Sequence, residues 1–427
     1  MIIAIFIGSL LVFLFLGMPV AFAIANCTLL ALWLTDVPLM IIAQRMFSAN
    51  YSFPLLAIPL FILAGSIMTK GGISKKIIEF AGSIVGQVYG GLAMVSLIAC
   101  GLFAAICGSS SATCAAIGSV MIPTMEEKGY KKDFAAATIA AGGALGMIIP
   151  PSLLLIFYGV AAEVSITKLF MGGLIPGILM MIALMVGAWY VSRKAGYRGL
   201  EKLQIKNVWK AFISSIWALL LPVIILGGIY SGLFTPTESA AVGVGYGFIA
   251  AMFIYRELKF SEIPAVLIDA VKSTALVVFI MDAAGLFGWM LINLRIPQQI
   301  ATAFLSITNS PVYMLLIIMG LLMLVGALMN AGPAMIILAP ILIPVAQSVG
   351  IDLIYFGVFM TICLTIGVVT PPVGIDLYVI SSISGVPIER VARKAMIYIA
   401  ILITCTALLV FFPQVIMFLP NLLQPSM

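Results

Sequence analysis

Apolar residues in this chain of 427 residues fall into a series of long runs, and short polar segments separate them. Many runs reach or exceed the ~20 residues that an α-helix needs to cross a bilayer. Together with 63% hydrophobic and 8% charged residues, this pattern predicts an all-α integral membrane protein with several membrane-spanning helices. The first run, residues 2–34, is too long for the apolar part of a signal peptide, so we expect it to be retained.

The sequence repeats itself once, at a fixed distance. The tandem prolines at Pro150 recur at Pro371, 221 positions later (371 − 150). The segments around them, GALGMIIPPS and LTIGVVTPPV, are two versions of one pattern. The same offset relates three further motifs: Ile122-Pro123 with Ile343-Pro344, Gly129 with Gly350, and Gly146 with Gly367. We therefore expect two equivalent halves, in which GSSSAT at residue 108 corresponds to MNAGPA at residue 329.

Basic residues indicate how the two halves are oriented. The connections 309–311 and 347–352 of the second half contain no Lys or Arg, whereas their counterparts in the first half contain Lys70, Lys75, Lys76, Lys128, Lys131 and Lys132. Because basic residues accumulate in cytoplasmic loops, the halves are predicted to be inverted, as in many secondary transporters. A break at residues 17–19 then gives two crossings before Pro54 and an N-terminus on the external side.

Each half is predicted to contain a re-entrant hairpin followed by a broken helix. The hairpins extend over residues 90–126 and about 311–347, and the broken helices over 133–160 and 352–384. The breaks are expected near residues 146–151 and 367–374. Non-helical backbone at this depth persists only inside protein or beside a water-filled cavity, because unpaired N–H and C=O groups cost several kcal/mol in lipid. The alternative is that the tandem prolines are only kinks that packing tolerates.

The hydroxyl groups at the first hairpin tip are candidate ligands. A helix broken at mid-membrane exposes free carbonyl and N–H groups. Carbonyls and hydroxyls coordinate a hard cation such as Na⁺, and half-helix N-termini attract a substrate carboxylate. We interpret four hydroxyls as ion and substrate ligands, the alternative being that they only cap the hairpin helix: Ser109, Ser110, Ser111 and Thr113.

Four charged residues lie in or beside apolar segments, where ionisable groups tend to mark pathways. Asp376, with Thr370, lies near the second break and is either a ligand or an ordinary acid at a helix start. Arg295 is either a clamp for a substrate carboxylate or a residue of the outer interface. Glu238 in TPTESA is either a pathway residue or a cap favoured by the helix dipole. Asp282 is expected to pair with a basic neighbour.

Missing motifs exclude several classes of function. The chain has no GxxxxGK[ST] phosphate loop, so we expect no ATP hydrolysis, and without histidine it cannot assemble a Ser-His-Asp triad. Cys100, Cys107 and Cys114 recur every seven residues, but no histidine or carboxylate lies among them. We interpret them as small core residues and not as a metal site. The net charge of +6 is interpreted as the orientation signal of the loops, with no nucleic-acid partner.

The segments GSSSATCAAIGSVMIPTMEEKGY, GMIIPPS, TPTESAA and GVVTPPVG resemble the large membrane subunit of tripartite ATP-independent periplasmic (TRAP) transporters, over essentially the whole chain. The resemblance implies an elevator-type transporter of the ion transporter superfamily, in which two hairpins and two broken helices carry substrate past a scaffold. It also implies sodium-driven uptake of an organic anion across a bacterial inner membrane. The implied partners are a small four-helix membrane subunit, expected as a separate chain, and a periplasmic binding protein that delivers the substrate.

The resemblance further implies two or more sodium sites near the hairpin tips. One lies between the first tip and the first break, at Ser109, Ser111, Gly146, Ile149 and Pro150. The other uses Asn330, Gly332, Gly367, Val368 and Thr370. The candidate substrate ligands are Ser110, Ser111, Thr113, Ser152, Arg295, Thr370 and Asp376.

On this basis the chain divides into seven segments. Scaffold helices are expected over residues 1–53, 54–89 with an arm, 166–270 with the cytoplasmic loop, 271–310 with an arm, and 387–427. The two halves of the transport domain are expected over residues 90–165 and 311–386, each with one hairpin and one broken helix.

Several functions stay open beside this one. Family substrates include C4-dicarboxylates, sialic acids and other carboxylates, and overall similarity favours sialic acid. The alternative is a stand-alone sodium/dicarboxylate symporter of the same superfamily, which needs no binding protein. An integral-membrane enzyme is a remote alternative, because it needs clustered acids and the chain has only 15 scattered Asp and Glu residues. A passive channel is disfavoured because two closed hairpins are a costly way to line a pore.

Overall fold

A computed structural model describes residues 2–49, 51–85, 88–197 and 205–423. Within these ranges the chain is helical and has no strand, which confirms the predicted all-α fold class. Nine of the described helical segments are long and apolar enough to cross a membrane. Part of the predicted cytoplasmic connection, residues 198–204, lies outside the described residues.

The described helices of the first half begin at Ile2 and end at Ala195. They are α1 (Ile2–Phe15), α2 (Val20–Leu34), α3 (Met40–Ala49), α4 (Ala57–Lys70), α5 (Ile73–Val85), α6 (Gly91–Cys107), α7 (Ser110–Glu127), α8 (Lys132–Gly143), α9 (Leu145–Ile148), α10 (Leu153–Ala161) and α11 (Ile166–Ala195). A 3-10 turn at Phe53–Leu56 precedes α4. The predicted break after α1 is confirmed, because Gly17 adopts a φ of 78° and Pro19 lies directly before α2.

The described helices of the second half begin at Ile205 and end at Leu423. They are α12 (Ile205–Tyr230), α13 (Pro236–Ile249), α14 (Ile263–Asn293), α15 (Ile296–Ile307), α16 (Pro311–Leu328), α17 (Ala331–Ser348), α18 (Leu353–Val369), α19 (Ile375–Ser384), α20 (Ile388–Phe411) and α21 (Gln414–Leu423). A π-helical turn at Ala250–Ile254 extends α13, and a 3-10 turn at Phe260–Glu262 precedes α14.

The sequence pattern predicts a short amphipathic piece and then a crossing from Val271 to Ile292, and the structure joins the two in a single helix. One helix, α14, continues from Ile263 to Asn293. Its proline, Pro264, lies in the first turn, where a missing N–H costs nothing. No proline follows within the helix, so nothing interrupts it.

The predicted repeat is present in the structure. The return helices of the two hairpins, α7 and α17, both have 18 residues, and their first and last residues differ by the predicted offset of 221 (331 − 110 and 348 − 127). Gly129 and Gly350, which follow these helices, adopt φ values of 84° and 72°. The two halves therefore share both the order of helices and the turn chemistry between them.

Helices of the two halves pack in reciprocal pairs. Helix α7 packs against α19, and its counterpart α17 packs against α10, the counterpart of α19. Likewise α4 packs against α13, and α14 packs against α2. When a helix of each half packs against the equivalent partner in the other half, the two halves are arranged as if related by a two-fold axis. Because connections 309–311 and 347–352 lack Lys and Arg while their first-half counterparts are basic, the packing agrees with the predicted inverted repeat.

The broken helices form the core of the molecule. In the segment from Lys132 to Ala161, 89% of the most apolar window is buried, compared with 33% in the segment from Lys206 to Tyr230. Every residue of α18 after Leu353 is buried. A hydrogen bond of 2.8 Å between the hydroxyls of Thr138 in α8 and Tyr398 in α20 holds the core to the last long helix. Cysteines 100, 107 and 114 are buried in α6 and α7, where they pack as small core residues.

The breaks lie slightly later than the sequence pattern predicts. Helix α9 includes Gly146 and ends at Ile148, and α18 includes Gly367 and ends at Val369. The tandem prolines stand inside the non-helical residues 149–152 and 370–374. The predicted interruptions are thus confirmed, but the two glycines are helical and serve the close packing described below.

Candidate functional site

The tip of the first hairpin consists of Gly108 and Ser109, between α6 and α7. Gly108 adopts a φ of 63°, which glycine reaches without strain, and Ser109 caps α7 by accepting a 3.4 Å hydrogen bond from the Ala112 N–H. The Leu153 N–H donates to the Gly108 carbonyl at 3.4 Å. A Cβ on Gly108 would lie 2.7 Å from the carbonyl oxygen of Pro151. The tip therefore touches the first break directly.

Gly146 brings the broken helix against the same tip. A Cβ on Gly146 would lie 2.6 Å from the Ser109 carbonyl oxygen and 2.6 Å from Thr113 Oγ1. The Thr113 hydroxyl donates to that carbonyl at 2.8 Å. Ile149 and Pro150 follow in the break and are buried. Three predicted site residues are thus in mutual contact, and they present carbonyl and hydroxyl oxygens, the ligands that sodium takes in broken-helix sites.

Asp376 connects the first tip to the second half of the chain. It is the second residue of α19 and is 0% exposed. Its Oδ1 accepts hydrogen bonds from Ser110 Oγ at 3.0 Å and from Ser111 Oγ at 3.2 Å. Its Oδ2 is buried and has no hydrogen-bond partner in the described structure. The sequence left the role of Asp376 open, and the structure places it against two predicted ligands.

The second hairpin tip has a different geometry. Asn330 is exposed and caps α17, where its Oδ1 accepts a 3.1 Å hydrogen bond from the Gly332 N–H. Gly367 packs against the end of α16, since a Cβ there would lie 2.7 Å from the Ala327 nitrogen. The Val373 N–H donates to the Ala327 carbonyl at 3.1 Å. The second break therefore contacts the end of α16, the first helix of its hairpin, whereas the first break contacts the hairpin tip itself.

The other residues predicted for the second sodium site are less closely grouped. Thr370 donates to a carbonyl of its own helix at 2.7 Å, and Val368 is buried within α18. A Cβ on Gly332 would face the ring of Phe157 in α10 at 3.4 Å. None of the hydrogen bonds of the described residues joins Asn330 to Thr370. This second site stays a prediction.

Two candidate substrate ligands lie in different surroundings. Ser152 is buried and caps α10, since its hydroxyl accepts from the Leu155 N–H at 3.5 Å and donates to the Met147 carbonyl. Arg295 is exposed at the junction of α14 and α15, with a φ of 52°. No hydrogen bond or ion pair among the described residues joins Arg295 to Asp376, so a role as a substrate clamp stays a prediction.

Glu238 proves to be a helix cap. Its carboxylate accepts a hydrogen bond of 2.8 Å from the Thr235 N–H, and its own N–H donates to Thr235 Oγ1 at 3.2 Å. This reciprocal pair is a capping box at the start of α13.

Asp282 lies half-buried within α14.

Two contacts of the site were not anticipated from the sequence. Gly326 and Ala327 form the surface that receives Gly367, and Phe157 covers the start of α17. The sequence feature that could have predicted the first contact is the pair of small residues Gly326 and Ala327, one turn before the second tip. It predicts a contact with Gly367 only if α16 and α18 are already known to pack together.

An inverted repeat in which each helix break packs against a hairpin is typical of secondary transporters. Residues 7–415 match the family described as tripartite ATP-independent periplasmic transporter, DctM component, and the chain belongs to this family of large TRAP permeases.

Three relatives show the range of the family. The chain is 40% identical over 385 residues to the C4-dicarboxylate TRAP transporter large permease protein DctM of Pseudomonas aeruginosa, with 90% of each protein covered. It is 38% identical over 410 residues to the sialic acid TRAP transporter large permease protein SiaM of Vibrio cholerae, with 96% of each covered. It is 40% identical to the isethionate TRAP transporter permease protein DctMQ of Oleidesulfovibrio alaskensis, covering 96% of this chain and 65% of that protein. All three are named as transporter permeases, so the chain is a transporter subunit and not an enzyme.

The fold also resembles that of solved transporters. The YdaH transporter of Alcanivorax borkumensis superimposes with a TM-score of 0.62 over 88% of each chain, at 16% sequence identity. At this identity the similarity supports the fold alone.

Proposed function

We propose that this chain moves an organic anion into a bacterial cell together with sodium, by an elevator motion of its hairpins and broken helices, after a periplasmic binding protein delivers the anion. The family assignment establishes the large permease subunit and a multi-pass protein of the inner membrane. The observation that carries the finer proposal is the contact of Gly146 with the Ser109 carbonyl and the Thr113 hydroxyl. This contact brings the broken helix against two oxygen atoms of the hairpin tip, which supports the proposal.

Sodium is proposed to join the first tip to the first break. A helix that ends at a break leaves carbonyls without partners inside the helix, and the Ser109 carbonyl lies against Gly146 of α9. Ser109, Ser111, Gly146, Ile149 and Pro150 supply the oxygens in this proposal. An ion held by both segments stabilises their closed arrangement, so movement of the hairpin depends on sodium.

A second sodium is proposed at the other tip on the strength of the repeat. Asn330 caps α17 at the position that Ser109 occupies before α7. The proposed ligands are Asn330, Gly332, Gly367, Val368 and Thr370.

The substrate is proposed to lie where several helices begin. Helices α7, α10, α17 and α19 all start at a tip or a break, and their positive ends attract a carboxylate. The proposed ligands are Ser110, Ser111, Thr113, Ser152, Arg295, Thr370 and Asp376. The relatives are named for C4-dicarboxylates, sialic acid and isethionate, all of them organic acids. Sialic acid is the first substrate that we propose to test.

The proposed partners follow from the tripartite family. They are a small membrane subunit and a periplasmic binding protein, with no nucleic acid and no ATP. The basic loops of the first half are proposed to face the cytoplasm, and the N-terminus the periplasm.

The test is uptake into proteoliposomes that contain this chain and its small subunit. Labelled sialic acid and a labelled C4-dicarboxylate are compared with and without an inward sodium gradient, and with and without the binding protein. Ser109→Ala is measured beside Ser119→Ala, because the Ser119 hydroxyl bonds to Ala116 of its own helix and, within the described part of the chain, to no other residue.

Uptake that needs both sodium and the binding protein, and that falls in Ser109→Ala but not in Ser119→Ala, supports the proposal. Sodium-driven uptake without the binding protein supports the stand-alone symporter instead. Uptake that is independent of sodium contradicts the coupling.

A further inference from the structure

The two junctions between the halves are equivalent in the repeat but differ in chemistry. Helix α7 meets α19, and α17 meets α10. The first junction contains Ser110, Ser111 and Asp376, whereas the corresponding positions of the second hold Ala331, Gly332 and Leu155. Because the second junction forms without a buried charge, the fold itself does not require one at the first. The polar cluster therefore calls for another explanation.

Asp376 is a buried carboxylate with an unused oxygen. Oδ1 accepts two hydroxyl hydrogen bonds, while Oδ2 has no hydrogen-bond partner among the residues that the structure describes. No Lys or Arg of the described chain forms an ion pair with it. An ionised carboxylate withdrawn from water costs several kcal/mol unless it is paired and fully hydrogen-bonded. The starts of α7 and α19 favour negative charge at this point, but neither supplies an N–H to Oδ2.

We propose that Asp376 holds a sodium ion, in addition to those expected between each tip and its break, with Ser110 and Ser111 completing the site. Each serine hydroxyl donates its proton to Oδ1 and keeps lone pairs that a cation can use. Carboxylate and hydroxyl oxygens are the hard ligands that such an ion takes. This inference rests on the proposed function, which makes sodium available as the coupling ion.

The site gives a physical reason for coupling between cation and anion. A substrate carboxylate near an uncompensated Asp376 meets a like charge in a medium of low dielectric, where repulsion is strong. A sodium ion on Asp376 cancels that charge, so the anion binds more tightly when the ion is present. Linkage requires the reverse as well, so the anion tightens sodium binding. Because the carboxylate belongs to one half and the hydroxyls to the other, the ion also joins the two halves.

The test uses the complex of this chain with its small subunit, purified into nanodiscs. The midpoint of thermal unfolding is measured against sodium chloride, with choline chloride holding the ionic strength constant, because a ligand of the folded state raises that midpoint. Asp376→Asn keeps the shape of the side chain and its acceptor oxygen but removes the charge. The matched control is Glu163→Gln, which removes a charge at an exposed position after α10.

We expect Asp376→Asn to need at least about tenfold more sodium for half of the stabilisation, the change that about 1.4 kcal/mol of lost binding produces. Glu163→Gln should match the wild type, and potassium should not replace sodium. An unchanged sodium requirement in Asp376→Asn overturns the inference while leaving sodium coupling at the other sites intact. Absence of any sodium effect in the wild type overturns the inference and the sodium coupling of the proposed function together.

Two further measurements keep the inference testable even if Asp376→Asn does not fold well enough for thermal unfolding to be measured. Ser110→Ala should raise the sodium requirement by a smaller factor than Asp376→Asn, because it removes one ligand of this site, keeps the charge and leaves the ligands of the other sodium sites in place. The number of sodium ions moved per substrate, measured from the sodium gradient that just balances a substrate gradient, should fall by one in Asp376→Asn. An unchanged ratio, or a Ser110→Ala sodium requirement equal to that of the wild type, overturns the inference.

Discussion

Ser110 Oγ donates a 3.0 Å hydrogen bond to Asp376 Oδ1, although the two residues are 266 positions apart in the chain. Ser110 begins the return helix of the first hairpin, and Asp376 lies in the first turn after the second break. Both side chains are fully buried. One half of the repeat is therefore fixed to the other through the residues that the sequence marks as candidate ligands.

Ser110→Ala should lower the stability of the complex. The substitution leaves Asp376 Oδ1 with only the Ser111 hydroxyl, and a buried acceptor that loses a partner costs about 1–3 kcal/mol. The measurement is the thermal unfolding midpoint, with Ser119→Ala in the same helix as control. Equal midpoints for the two variants would contradict a structural role of the bond.

Gly146→Ala should disturb the first tip. A Cβ at this position would lie 2.6 Å from both the Ser109 carbonyl oxygen and Thr113 Oγ1, and overpacking of this kind costs about 1–3 kcal/mol. We expect a lower unfolding midpoint and weaker stabilisation by sodium. The control is Gly320→Ala in α16, where a Cβ meets nothing within 4 Å and alanine favours the helix. The account fails here if Gly146→Ala behaves like Gly320→Ala.

Glu127 and Ser348 test the inverted orientation. Both are exposed final residues of the return helices α7 and α17, at equivalent positions of the repeat. Glu127→Cys should react with a membrane-impermeant maleimide from the cytoplasmic side, and Ser348→Cys from the periplasmic side. The wild type is the background control, because its described cysteines are buried or half-buried. Labelling of both positions from one side would exclude an inverted repeat.

Tyr398→Phe should weaken the attachment of α20 to the core. The variant loses the 2.8 Å hydrogen bond to Thr138, with an expected cost of about 1 kcal/mol. Tyr378→Phe is the control, since that tyrosine is 55% exposed. The thermal unfolding midpoint distinguishes the two variants, and no difference between them would show that the bond adds nothing to stability.

Much of the fold could be predicted because its signals are local. Pro19, the two tandem prolines and the glycines 108, 129 and 350 mark turns or breaks where they stand in the sequence, and the offset of 221 extends each inference to the other half. The residue at which each broken helix is interrupted was harder to predict from the sequence. Gly146 and Gly367 looked like the start of a break, yet both remain helical, because a single glycine is tolerated in a buried helix that packing supports.

The partners across the site could not be predicted in the same way. The sequence identified Ser110 and Asp376 as candidates, but a repeat shows which residues are equivalent and not which residues touch. Their hydrogen bond depends on how the two halves pack, and so does the contact of Gly367 with Gly326. The same limit applies to Arg295, whose position at a helix junction the sequence could not distinguish from a place in the site.

The most direct test of the account is the simultaneous flux of radioactive sodium and labelled substrate in proteoliposomes that hold the complete transporter. We predict that sodium enters only when substrate and binding protein are both present, that substrate enters only with sodium, and that both fluxes fall together in Ser109→Ala. Substrate entry without any accompanying sodium would contradict the central claim that the tips and breaks couple the two movements.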